Sequence, residues 1–197
     1  MTYILPAVLQ RPVLKDKSAQ IIVDNNRHTV WVFPPKCAQT ALRIWVGDDN
    51  VTSPATFEMA RARLNLLHYR LVMSVRHPVD RLLSARANKF PSRSLHDLIE
   101  LVSKHEDTAL DIHLQSQMYL LTRLGRDLPD LALRVENLTH DCEYLPWMED
   151  VPDVRNQSSW TLDEYNSLSD EDRDLLEYRY RADYDLYHWA NEQYAPY

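Results

Sequence analysis

The stretch His28–Val46, HTVWVFPPKCAQTALRIWV, decides the fold. Thr29 to Phe33 is β-branched and aromatic, the composition of a buried strand. Pro34 and Pro35 end that strand, because neither has an N–H to give a sheet ladder. Thr40 to Val46 returns to helix-compatible residues, with Ala41, Leu42 and Trp45 apolar. The loop between carries one lysine, Lys36, and one hydroxyl, Thr40. Strand, tight loop and helix in this order aim backbone N–H groups and the positive end of a helix dipole at one spot. Such a spot binds anions, phosphate above all.

Upstream, Ala19 to Val23 is a short strand and Asp24 to Arg27 the turn into the opening strand. Residues 1–18, with Pro6 and Pro12, form an N-terminal arm on a single domain that spans 1–197. Downstream, Ser53 and Pro54 carry a helix-start signature, serine as N-cap and proline at the first helical position, ahead of a helix over Thr56 to Leu67. Tyr69 to Val75 is a near-continuous apolar run, which fits a strand covered on both faces. Pro78 opens a helix through Asn88, with Asp80 in the first turn where negative charge is favoured. Ser94 to Lys104 and Ile112 to Leu124 are amphipathic helices. Leu131 to Val135 is a third core strand leading into Glu136, and a long loop holding Pro146, Pro152 and Arg155 follows. Ser169 and Asp172 cap a C-terminal helix over Glu171 to Arg181, and Asp183 to Tyr187 packs down on the core. Helices alternating with apolar strands give an α/β layered fold.

Net charge is −7, so the chain does not coat nucleic acid through bulk positive charge, and a polyanion must be held by local cations. With two glycines, turns fall to Pro, Asn, Asp and Ser. The two cysteines, Cys37 and Cys142, read as free thiols of a reducing compartment. No run is long enough to span a membrane, and no basic segment with a following apolar stretch marks secretion. The expectation is a soluble cytoplasmic protein without a membrane partner. The eight histidines show no metal-ligand spacing, and two cysteines do not make a structural zinc site.

Two strand ends carry the chemistry. The first delivers Lys36 and Thr40, and the second delivers Arg76, with Ser84 eight residues on. Ligands bind beyond the carboxyl ends of parallel strands, so both motifs open on one crevice. A lysine-bearing anion loop and an arginine at a neighbouring strand end suit a ligand with two separate phosphates.

PPKCAQTAL, residues 34–42, resembles the 5′-phosphosulfate loop of sulfotransferases that use 3′-phosphoadenosine-5′-phosphosulfate (PAPS). VRHPVDRLLSAR, residues 75–86, resembles their 3′-phosphate motif, Arg-x-Pro-x-x-Arg-x-x-Ser. Asn88-Lys89-Phe90, His113-Leu114-Gln115-Ser116-Gln117, Arg134-Val135-Glu136-Asn137-Leu138 and the closing Asp183 to Tyr187 are similar to the carbohydrate branch of that family. The resemblance implies a P-loop-like three-layer fold, with a central mainly parallel sheet flanked by helices. It implies that Lys36 contacts the phosphosulfate and steadies charge on the bridging oxygen. Backbone N–H groups from Cys37, Ala38, Gln39, Thr40 and Ala41, with the Thr40 hydroxyl, would hold the 5′-phosphate. Arg76 and Ser84 would hold the 3′-phosphate, and Arg155 from a late loop would add a third cation. His113 is the candidate catalytic base, with His68 behind it. The reaction implied is metal-free sulfuryl transfer to an acceptor hydroxyl, on a carbohydrate by analogy with that branch, leaving 3′,5′-ADP.

The chain departs from the family at three points. Ala38 and Gln39 stand where glycine is common, Ala41 replaces a frequent serine or threonine, and Arg86 replaces a tyrosine. A non-catalytic nucleotide-binding or interaction protein on the same fold is therefore one rival. A small-molecule kinase is the other. Against it stand the lack of Gly-x-x-x-x-Gly-Lys-Ser/Thr and the presence of Arg76 where an aspartate would hold magnesium.

Overall fold

The computed structural model describes residues 21–46, 52–54, 56–145 and 166–194. The apolar runs at Ile21–Asp24 (β1), Thr29–Val32 (β2), Arg70–Val75 (β4) and Leu131–Arg134 (β5) join Thr52–Pro54 (β3) in one five-stranded sheet. The strand order is β3-β1-β2-β4-β5. β2 pairs with β4, and β4 with β5, in parallel. β1 lies antiparallel to both β2 and β3, so four strands share a direction and β1 runs against them.

Helices cover both faces because the strands are apolar on both. Val30, Val32, Leu71, Met73, Val75 and Ala132 face one cluster. It is closed by Phe57–Leu66 (α2), Gln117–Leu124 (α5) and Arg181–Glu192 (α8) through Leu64, Leu121, Leu124, Leu186 and Ala190. The alternate residues Ile22, Trp31, Val72 and Leu133 face the other cluster. There Gln39–Val46 (α1) and Leu138–Cys142 (α6) close the core with Leu42, Val46 and Leu138. Period-two alternation thus feeds two cores, and each wholly buried leucine contributes about 2 kcal/mol. A third cluster joins Leu82 and Leu83 of Pro78–Lys89 (α3), Leu98 and Ile99 of Leu95–Lys104 (α4), and Leu176 of Asp170–Arg179 (α7). No helix among the described residues is long and apolar enough to cross a membrane.

Three expectations are corrected. Ser53 and Pro54 do not begin a helix: they belong to β3, where Pro54 pairs with Ile22 at the sheet edge. An edge strand tolerates a proline because one of its sides needs no N–H. The cap moves to Thr56, whose hydroxyl accepts the Met59 N–H at 3.2 Å. The helix expected from Ile112 starts only at Gln117. Asp111 folds residues 111–115 into a turn, accepting from the N–H groups of His113 through its side chain and of Leu114 and Gln115 through its carbonyl. Ser116 then caps α5. The C-terminal helix expected through Arg181 ends at Arg179 (α7), and after a break at Tyr180 (φ −108°, ψ 21°) Asp183 to Tyr187 packs on the core, through Asp183 and Leu186, as part of α8. The capping of α7 by Ser169 holds: its hydroxyl accepts the Asp172 N–H at 3.1 Å. The N-terminal arm, Pro146, Pro152 and Arg155 lie outside the described residues.

Candidate functional site

The loop between β2 and α1 takes a shape that its sequence does not favour. Lys36 and Ala38 both sit at positive φ, +70° and +55°. Side chains other than glycine pay roughly 1–2 kcal/mol for that conformation. Left-handed residues alternating with ordinary ones turn successive N–H groups toward a common point, a concavity suited to an anion. The α1 ladder opens with the Leu42 N–H on the Ala38 carbonyl at 3.0 Å, so the first-turn amides precede it at the helix's positive end.

Neighbouring elements impose this shape. Arg76, at the end of β4, donates from Nη1 to the Lys36 carbonyl at 3.0 Å. Arg81, in α3 and 2% exposed, donates from Nε to the Pro35 carbonyl at 3.1 Å. Two guanidinium groups thus grip consecutive loop carbonyls from behind. Each retains a buried nitrogen, Arg76 Nε and Arg81 Nη2, with no hydrogen-bond partner among the described residues.

In front of the loop lies a cleft of about 480 Å³, lined by Pro35, Lys36, residues 38–41, Asn88, Lys89 and His113. The cleft is cationic in an acidic protein. Burial lowers the Lys36 pKa, and the charges of Arg76 and Lys89 lower it further. An ammonium held among like charges gains from any anion that joins them. Cys37 lines the loop's buried side, where desolvation pushes its thiol up to about 12, so it is no nucleophile at neutral pH.

His113 stands across this cleft. Its Nδ1 lies 2.7 Å from Asp111 Oδ1, and its backbone N–H donates to the same oxygen at 2.9 Å. With Nδ1–H given to the carboxylate, Nε2 carries the lone pair. Burial lowers the His113 pKa; Asp111 works against this, and Lys89 and Lys36 reinforce it. The ring is therefore neutral at pH 7 and able to take a proton.

Lys36, residues 38–41 and His113 line one cleft. Ser84 does not reach the cleft: it is 1% exposed within α3. Arg76 is half-buried behind the loop and is not among the described residues that line the cleft. His68, at φ +54°, precedes β4 at the opposite end of that strand from Arg76.

Sequence reasoning quoted Arg81, Lys89, Gln117 and Asp183 without giving them work. Asp183, wholly buried, accepts from the Ser116 hydroxyl at 2.7 Å and from the Gln117 and Met118 N–H groups at 2.9 Å each. A buried carboxylate at a helix N-terminus is held by those amides and by the dipole. Gln117 in turn faces the loop.

Compared with protein-family models, with curated proteins and with solved structures, the chain matches none.

Proposed function

We propose that this chain is a PAPS-dependent sulfotransferase with a P-loop-like nucleotide cleft, acting on a hydroxyl, on a carbohydrate by the motif resemblance. The observation that carries the reading is the junction of two strand ends. The Lys36 loop and Arg76 follow neighbouring parallel strands and touch through the 3.0 Å bond from Arg76 Nη1 to the Lys36 carbonyl. Lys36 and Lys89 line the cleft in front of the loop, and His113 faces it. The unmatched nitrogens of Arg76 and Arg81 add buried donors behind it.

In this reading the loop amides and Thr40 seat the 5′-phosphate, and Arg76, behind the loop and outside the cleft lining, braces that seat through the Lys36 carbonyl. The acceptor oxygen attacks sulfur in line while His113 Nε2 takes its proton. The bond from sulfur to the bridging oxygen breaks, and 3′,5′-ADP leaves with its new charge against the Lys36 ammonium. Asp111 holds the imidazole in the required tautomer.

A nucleotide-binding protein without turnover is the second reading. It is favoured by Ser84, whose burial withdraws a hydroxyl from the phosphates. Calorimetry with 3′,5′-ADP and mass spectrometry of PAPS with a panel of sugar acceptors separate the two. Binding with sulfate transfer in EDTA supports the first. Lys36→Ala should abolish transfer, and Arg76→Ala should chiefly weaken nucleotide binding. If both variants bind 3′,5′-ADP as tightly as the parent, the site is misassigned.

A further inference from the structure

The Gln117 side chain is hydrogen-bonded to both sides of the two-strand junction. Its Oε1 accepts the Arg76 backbone N–H at 3.0 Å and the Cys37 thiol at 3.3 Å, and its Nε2 donates to the Arg76 carbonyl at 2.9 Å. The amide therefore docks on Arg76 as a strand neighbour would, at the point where β4 has run out of partners. The same oxygen reaches over to the loop beside Lys36. Gln117 is itself wholly buried, and Asp183 fixes its backbone at the first position of α5. Arg76 holds the Lys36 carbonyl, and Gln117 holds Arg76 and Cys37, so the loop and strand end are tied twice through adjacent residues.

We infer that Gln117 is a positioning residue, which sets the spacing between the Lys36 loop and Arg76 and so shapes the anion cleft without touching its ligand. The tie itself stands on geometry alone. Its consequence for nucleotide affinity rests on the sulfotransferase reading.

Cys37 reports the tie without any ligand. Its thiol is buried, so alkylation requires local opening of the loop. Cys142, buried at the end of α6 and remote from Gln117, is the reference for opening elsewhere in the chain. The test compares the parent chain, Gln117→Met, which keeps length and loses the amide, and Leu124→Val, a core control on the same helix. Each is treated with iodoacetamide and analysed by peptide mass spectrometry, and each is titrated with 3′,5′-ADP. Gln117→Met removes three hydrogen bonds and should speed Cys37 alkylation at least about tenfold, the scale of a single lost buried hydrogen bond, with Cys142 unchanged. It should also weaken 3′,5′-ADP about tenfold, while Leu124→Val does neither. If Gln117→Met does not fold, Gln117→Asn gives the same two readings, since the shorter amide cannot span Arg76 and Cys37 together. Equal acceleration at both cysteines, or none at Cys37, overturns the inference. So does unchanged 3′,5′-ADP affinity once Cys37 has been freed. Local acceleration in Gln117→Met, together with a parent chain that binds no 3′,5′-ADP, supports the tie and refutes the nucleotide reading instead.

Discussion

Asp183→Asn is isosteric, yet it should be among the most damaging single changes in the chain. The native carboxylate is wholly buried and accepts three hydrogen bonds, from the Ser116 hydroxyl, the Gln117 N–H and the Met118 N–H. In the variant one amide oxygen keeps the Ser116 and Met118 donors, at the strength of neutral bonds. Charge-assisted bonds are about twice as strong, so this loses about 1 kcal/mol for each of the two. The amide nitrogen then faces the Gln117 N–H, donor against donor, and leaves it unsatisfied at a further cost of about 1–3 kcal/mol. Burying a neutral group in place of a charge returns part of this. The net expectation is a loss of about 3 kcal/mol. Urea unfolding followed by tryptophan fluorescence measures it. With a slope of about 2 kcal/mol per molar, the midpoint falls by about 1.5 M. Asp183→Ala, which leaves all three donors unmatched, should cost more, and Ser116→Ala should cost less than either. A midpoint for Asp183→Asn within 0.25 M of the parent, on the order of 0.5 kcal/mol, would refute the claim that this carboxylate organises the start of α5.

Two further outcomes concern the site and the core. In the sulfotransferase reading His113 works as a base only when neutral, and burial holds its pKa below the ordinary imidazole value. Transfer should therefore rise with pH through a limb that lies below the usual histidine range and then level off. Asp111 raises the His113 pKa, so Asp111→Asn should move the limb to still lower pH and reduce kcat; a limb that stays in place removes the pair from the mechanism. Arg134 meets buried Asp141 through Nε at 2.9 Å and Nη2 at 2.6 Å, so Arg134→Ala strands a charge and should cost about 3–5 kcal/mol by urea unfolding.

The frame was legible where one local signal acted alone. Thr29 to Val32 and Arg70 to Val75 are strands because their side chains suit burial on two faces, and Pro34-Pro35 ends the first for lack of N–H groups. Sequence pattern and structure part where two local signals compete. Ser53-Pro54 satisfies a helix start, but pairing of Pro54 with Ile22 prevails and Thr56 takes over the cap. The helix pattern from Ile112 to Leu124 is broken at Ser116, whose extended backbone (ψ 144°) and hydroxyl, accepting the Tyr119 N–H, make it the cap of a new helix. Within the site, Lys36 is legible as a cation just past a strand end, and His113 only through the motif resemblance of residues 113–117. The roles of Arg81, Gln117 and Asp183 are not legible, because each acts on backbone far away in sequence. Gln117 reaches across 41 residues to Arg76, and Asp183 across 66 to Gln117.

The grip of Arg76 and Arg81 on the Lys36 and Pro35 carbonyls bears on how this site could be moved. A glycine-rich anion loop carries its shape in its own backbone and survives transplantation between scaffolds. Here the curvature is imposed from outside, so residues 34–41 grafted alone between a foreign strand and helix would relax out of the left-handed conformation at Lys36 and Ala38. The smallest portable unit is the loop together with the end of β4, the first turns of α3 and the capped start of α5.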